Sequence, residues 1–158
     1  EIKVDRESQI RLFKSQVELA ISLNLPVLIH CRKAHNEMFD ILKDYGFNLK
    51  GVMHSFSGNQ DMLMKFLSLG FYISFSGAVT RSHAKKYHRN AKVVPEDRIL
   101  FETDAPAIST QNVKAGDVEP CHILEIIEFV ASLRAVEPER LISCSSNNAK
   151  ELFGINPT

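Results

Sequence analysis

The sequence predicts a parallel α/β sheet covered by helices on both faces, and three observations carry that reading. Segments of helical periodicity alternate with short runs of apolar residues along most of the chain. The runs are continuously apolar, as in strands buried on both sides. Each run also finishes in polar residues, at the end of a parallel sheet where ligands bind in barrels and doubly wound folds alike. Composition agrees, since 158 residues, 44% hydrophobic and 24% charged, can bury one sizeable core. No repeat, low-complexity tract or linker divides residues 1–158, so a single domain is expected. Lys+Arg and Asp+Glu balance at 19 each, so a nucleic-acid partner would have to be recognised by local charge.

Residues 7–23 place Ile10, Phe13, Val17 and Ala20 at helical spacing, with Asp5 or Ser8 as the cap. Pro26 leads into Val27-Leu28-Ile29, the first short apolar strand. A second helix is expected over 34–45, closed by Gly46. Gly51-Val52-Met53 opens the second strand, which ends near His54. Met62, Leu63, Phe66 and Leu67 mark a third helix, stopped by Gly70. Residues 71–75 read as the third strand, and the basic segment 80–92 is a candidate helix. The fourth strand spans 98–101, with Ile99-Leu100-Phe101 as its apolar part. Periodicity fades into a loop over 108–119. Two helices close the chain, 122–133 and 138–153, the second opened by Pro138 and ended by Gly154. The connections are long enough for right-handed crossovers. The pattern alone leaves a doubly wound sheet and part of a barrel both open.

No apolar run approaches the ~20 residues of a membrane helix, so no membrane partner is expected. Cys31, Cys121 and Cys144 lack metal-type spacing and read as free thiols of an intracellular compartment, cytoplasmic in preference to nuclear or organellar. The chain opens on Glu1 instead of Met, which suggests a processed or excised piece.

The strand ends carry the chemistry. The first finishes Ile29-His30-Cys31-Arg32, the second Met53-His54-Ser55-Phe56, the third Ser74-Phe75-Ser76-Gly77 and the fourth Phe101-Glu102-Thr103-Asp104. In a parallel sheet these ends share one face, so residues distant in sequence converge there. Neutral imidazole and carboxylate are common ligands of a catalytic divalent ion, which lowers the pKa of a bound water and polarises the bond to be cut. A lone His at a strand end is more often a core or rim residue. Two of them, with Asp104 at a third strand end, point to a site. Glu102 reads as a ligand, a carboxylate that orients a ligand, or half of a buried ion pair, the orienting role being preferred. Cys31 reads as a packed thiol. Arg32, beside His30, is the preferred phosphate contact because guanidinium binds phosphate in bidentate fashion. The run holding Arg81, Lys85, Lys86, Arg89 and Lys92 is a second candidate, against the commoner reading of a solvated helix face.

At these residues the chain resembles the TatD family of metal-dependent deoxyribonucleases. The matching stretches are Leu25 to Ala34, Gly51-Val52-Met53-His54-Ser55-Phe56-Ser57-Gly58, and Leu100-Phe101-Glu102-Thr103-Asp104-Ala105-Pro106. Weaker matches lie at 16–20, 70–77, Glu119-Pro120, Asn148-Ala149 and 152–154. The resemblance implies a TIM-type (β/α)8 barrel of the metal-dependent hydrolase superfamily, with DNA as substrate and a divalent ion (Mg, Mn or Zn) as cofactor. Carried over by position, His30 and His54 match metal ligands on the fifth and sixth strands and Asp104 the ligand on the eighth. Glu102 matches the acidic residue of the same motif, so Asp104 and Glu102 are the catalytic candidates, with Arg32 and Arg81 on substrate phosphates. The family's first-strand His-x-His pair and fourth-strand Glu have no counterpart. A barrel of this type takes about 250 residues, so only strands five to eight are expected here, the C-terminal half. Such a half exposes sheet edges and an apolar inner face, to be covered by the missing half, by self-association or by a rearranged C-terminal segment. Two further functions remain in view: a truncated, non-catalytic relative that binds nucleic acid or a protein, and a barrel hydrolase of small amides or esters.

Overall fold

The computed structural model describes residues 5–155. Glu1, on which the expectation of a processed start rests, lies outside them. Helix α1 (Arg6–Ser22) starts where the Asp5 carboxylate accepts the Ser8 N–H at 2.9 Å. Strand β1 (Val27–His30) follows, then α2 (His35–Leu42), β2 (Gly51–His54), α3 (Gln60–Ser68), β3 (Tyr72–Phe75), α4 (Lys85–Val93), β4 (Ile99–Phe101), α5 (Ile123–Arg134) and α6 (Pro138–Phe153). The chain thus has the predicted order. Helix α2 stops short of Tyr45 because the backbone tightens: the Tyr45 N–H donates to Leu42 O, three residues back, at 3.1 Å. In the basic segment only the second half is α-helical; Gly77–Thr80 is a single 3-10 turn.

The four strands form one parallel sheet in the order β1-β2-β3-β4. Register pairs Leu28 with Val52, His30 with His54, Val52 with Tyr72, and Ser74 with Leu100. Strand alternation then divides the side chains. Ile29, Met53, Ile73, Phe75, Ile99 and Phe101 point to one face and join the main core with Val17, Leu42, Phe66, Val79 and Ile126. Leu28, Val52, Tyr72 and Leu100 point to the other, with His30, His54 and Ser74 above them. The ladder runs past β4, since the Glu102 N–H donates to Phe75 O at 3.1 Å, which puts the Glu102 side chain in the same row.

That second face is covered unevenly. Leu152 and Ala149 of α6 pack on Val52, Tyr72 and Leu100. Asn148 pins the helix there, its Nδ2 donating to Glu96 O and Ile99 O at 2.8 Å each. Strands β3 and β4 are therefore buried along their whole length. The expectation of cover on both faces fails at β1, where Leu28 is 62% exposed because α6 does not reach the β1 edge. Leu12 and Leu19 of α1, Leu23 at its C-cap and the nearby Leu25 are exposed too.

Candidate functional site

The polar row at the strand ends is held by backbone that leaves the sheet sharply. Lys33, Ser55 and Asp104, each within three residues of a strand end, adopt left-handed φ of 61°, 43° and 53°. For residues with a Cβ each such conformation costs on the order of 1 kcal/mol or more, and it tends to be retained where a site requires it. Gly77 lets the loop after β4 close down on this end, as a Cβ there would sit 2.8 Å from Ser109 O.

His54 is the centre of the row. Its Nδ1 lies 2.8 Å from Glu102 Oε1 and its Nε2 3.7 Å from Asp104 Oδ2, and both His54 and Glu102 are about four-fifths buried (20% and 21% exposed). Ser74 donates to the other Glu102 oxygen at 2.7 Å, and Ser55 and Ser76 bond each other at 2.6 Å. The His54–Glu102 approach has ionic distance without hydrogen-bond direction, so the buried Oε1 has no hydrogen bond. The His30 ring lies 5.7 Å from the His54 ring, tilted by 42°, and is exposed. Cys31 is buried, and that burial pushes its thiol up, keeping it protonated and packed.

These donors suit a divalent cation in type, and pairwise in spacing. Two ligands bound at about 2.0–2.2 Å in a tetrahedral site stand roughly 3.4 Å apart, close to the His54–Asp104 separation. A carboxylate on the far nitrogen of that imidazole is the usual orienting partner. Glu102 Oε1, which accepts no hydrogen bond, is a further acceptor beside that nitrogen. Yet among the described residues no three His, Cys, Asp or Glu side chains converge on one point. The donor types fit, and the set is incomplete.

The sequence-predicted residues thus fall into two groups and an outlier. His54, Glu102 and Asp104 are in contact, with His30 beside them. Arg32 lies on an adjacent cleft of about 550 Å³ with Lys33, His35, Gly58 and Lys86. Arg81 is elsewhere: its guanidinium donates to Ser109 Oγ at 2.7 Å and Ser109 O at 3.3 Å, tying the end of β3 to the loop after β4. Sequence reasoning gave Ser74 no role. Its place one strand over from His54, with the same parity, was the available signal.

A parallel sheet that gathers imidazole and carboxylate at its strand ends is an architecture of metal-assisted α/β hydrolases. The comparisons with known proteins are consistent with that class. The chain belongs to the TatD-related DNase family, whose model matches residues 2–154. It is 36% identical over 155 residues to YabD of Bacillus subtilis, a metal-dependent hydrolase of uncharacterised activity, covering 98% of this chain and 61% of YabD. It is 35% identical over 153 residues to the 3'-5' ssDNA/RNA exonuclease TatD of Erwinia billingiae, covering 93% of this chain and 59% of that enzyme. Among solved structures, Escherichia coli YJJV, a TatD homologue, superposes with a TM-score of 0.89 at 26% identity, over 99% of this chain and 61% of YJJV. The chain therefore spans about three-fifths of the length of these relatives. Among the described residues no helix is long and apolar enough to cross a membrane.

Proposed function

We propose that this chain carries part of the active site of a divalent-metal-dependent hydrolase that cuts phosphodiester bonds in DNA. The observation that carries this is His54, set between Glu102 and Asp104 at the C-terminal ends of parallel strands. In this reading His30, His54 and Asp104 hold the ion, which supplies water activation and charge neutralisation at the phosphoryl oxygens. Glu102, itself fixed by Ser74, favours the proton on His54 Nδ1 and so leaves Nε2 free as a ligand. Asp104 takes the proton of the attacking water. Arg32 binds the backbone phosphate in bidentate fashion, and Arg81, already committed to Ser109, shapes the rim instead of moving with substrate. The nucleic-acid substrate is supported by the exonuclease relative. The free cysteines support an intracellular setting.

In the same reading the four strands form one domain and are consecutive strands of a TIM-type barrel. The exposed leucines of α1 and β1 are then the face on which the remaining strands, or a second copy, close. A second reading is favoured by one observation: no three donors share a point among the described residues. In it, the chain binds nucleic acid without cutting it.

The test is nucleotide release from end-labelled single-stranded DNA by the encoded protein, with Mg²⁺, Mn²⁺ or Zn²⁺. His54→Ala is expected to lower the rate at least about 100-fold, the scale on which metal sites lose function when the ligand environment is broken. A small-ester and amide panel run beside it checks the substrate class. No cleavage with any metal, or full activity in His54→Ala, overturns the proposal; DNA binding without cleavage establishes the second reading.

A further inference from the structure

The cleft beside the imidazole–carboxylate row is chemically unlike the rest of the molecule. The chain as a whole is neutral, yet the charged groups lining the cleft are Arg6, Arg32, Lys33, Lys86 and a single carboxylate, Glu37. Arg6 is already paired with Glu37 at 2.7 Å. Among the described residues, three cations are left without a carboxylate. Lys86 crosses from α4 to donate to Ser57 O, which fixes its ammonium at the cleft wall. Arg32 and Lys33 are exposed and make no hydrogen bond or ion pair among the described residues. Lys33 is held at φ 61°, a backbone conformation that an ordinary surface lysine has no reason to adopt. The first turn of α2 forms another wall, and its cap residue Ala34 offers no side-chain acceptor for the helix N–H groups. His35 Nε2 is buried without a partner, and burial, with Lys86 nearby, keeps that imidazole below its usual range and uncharged. Gly58 completes the shape, because a Cβ there would overlap the Phe56 ring and press on His35.

A volume of about 550 Å³ is more than an isolated phosphate fills and is in the range of small-molecule sites. The walls also place the cleft relative to the reaction. Arg32 and Lys33 follow His30 by two and three residues, and Ser57 and Gly58 follow His54 by three and four. We infer that this cleft is a nucleotide subsite that grips the backbone phosphate adjoining the bond to be cut, through Arg32, Lys33 and Lys86. The inference rests on the nucleic-acid reading above and deepens it. Its consequence is that a strand with a flanking phosphate is held better than a lone phosphodiester, with little dependence on base, because phosphate contacts carry no sequence information.

Binding of fluorescein-labelled (dT)8 to the full chain, in EDTA so that hydrolysis is absent, tests it by anisotropy across a salt series. Lys33→Ala is expected to weaken binding about 3–10-fold and to reduce the slope of log K against log salt by about 1; Lys33→Glu should weaken it further. Lys33 is exposed and unpartnered, so the variants should fold, which circular dichroism checks. Unchanged (dT)8 affinity and slope in Lys33→Glu overturns the inference, as does absence of (dT)8 binding by the parent chain at low salt. Loss of inorganic-phosphate binding with (dT)8 binding unchanged makes this a free-phosphate site and also overturns it. Hydrolysis of bis(p-nitrophenyl) phosphate, which has no flanking phosphate, separates the two claims. If it is lost in His54→Ala, the catalytic reading stands whatever the fate of the subsite.

Discussion

His30 and His54 are neighbours in register on the same face of the same sheet, and their surroundings are opposite. His54 is mostly buried, with one carboxylate at each ring nitrogen. His30 is exposed, its ring 5.7 Å from the His54 ring. The difference follows from what covers each strand. At the β3–β4 side, α6 seals the lower part of the face and the ends of β3 and β4 deliver Ser74, Glu102 and Asp104 around His54. At β1 the sheet has an open edge, and nothing among the described residues holds the imidazole in place. The same residue type at equivalent positions is enclosed between carboxylates on one side and open to solvent on the other. Packing, more than residue identity, makes the site.

The sharpest way to break this comparison is to measure cover directly by stability. Ile73 on β3 is fully buried, and Ile73→Ala should cost about 2–5 kcal/mol in urea unfolding. Leu28→Ala on β1 should cost no more than about 0.5 kcal/mol if the edge is as open in solution as in the structure. A Leu28 cost near that of Ile73 shows that the edge is covered, and repeating the measurement at tenfold lower protein concentration tells a second copy from a segment of the same chain.

A smaller effect sharpens the comparison at the histidines themselves. The Glu102 carboxylate, 2.8 Å from His54 Nδ1, favours the proton on that nitrogen; among the described residues His30 has no such partner. Glu102→Gln should therefore shift His54 toward a mixture of tautomers, read from imidazole ¹⁵N shifts, and leave His30 unchanged. Zn²⁺ affinity by chelator competition should fall about 10–100-fold, the usual loss when a partner that orients a ligand is removed. Equal tautomer changes at both rings would show that the two environments are not distinct.

How much of this was legible in the sequence divides along the same line. The strands, their order and the polar ends were readable because apolar runs and periodicity are local properties. So were His30, His54, Glu102 and Asp104 as candidates, and the loop before α5. The exposure of Leu28 was not readable from its own strand, since Val27-Leu28-Ile29 looks like any buried strand; cover depends on whether α6 reaches across three neighbours. Nor was the cleft. Lys86 meets Ser57 from 29 residues away, and the left-handed turns at Lys33 and Ser55 occur at residue types that do not announce them. Arg81 looked as available as Arg32, and only the folded loop after β4 shows it engaged with Ser109.

The closed side should also be the acid-sensitive one, through the tether of α6. Glu96, just before β4, accepts the Arg140 guanidinium at 3.0 Å and the Cys144 thiol at 3.6 Å, next to the Asn148 bonds that pin the helix. The Arg140 hydrogen bond holds the Glu96 carboxyl below the usual carboxylate range, with burial opposing, while burial and the Glu96 charge push the Cys144 thiol up and keep it a donor. A carboxylate depressed in the folded state lends stability above its unfolded value and loses it as pH falls through the folded one. The Glu96 contribution should therefore be complete at neutral pH and fade below about pH 4.3. Because the pair is partly solvated, Glu96→Gln should cost under about 1 kcal/mol at pH 7, and that cost should vanish toward pH 3. Leu28→Ala measured over the same series is the control, as it removes no titratable or hydrogen-bonding group. A Glu96→Gln cost that persists at pH 3 would mean that the side chain acts by shape, and that α6 is held by Asn148 and its apolar contacts alone.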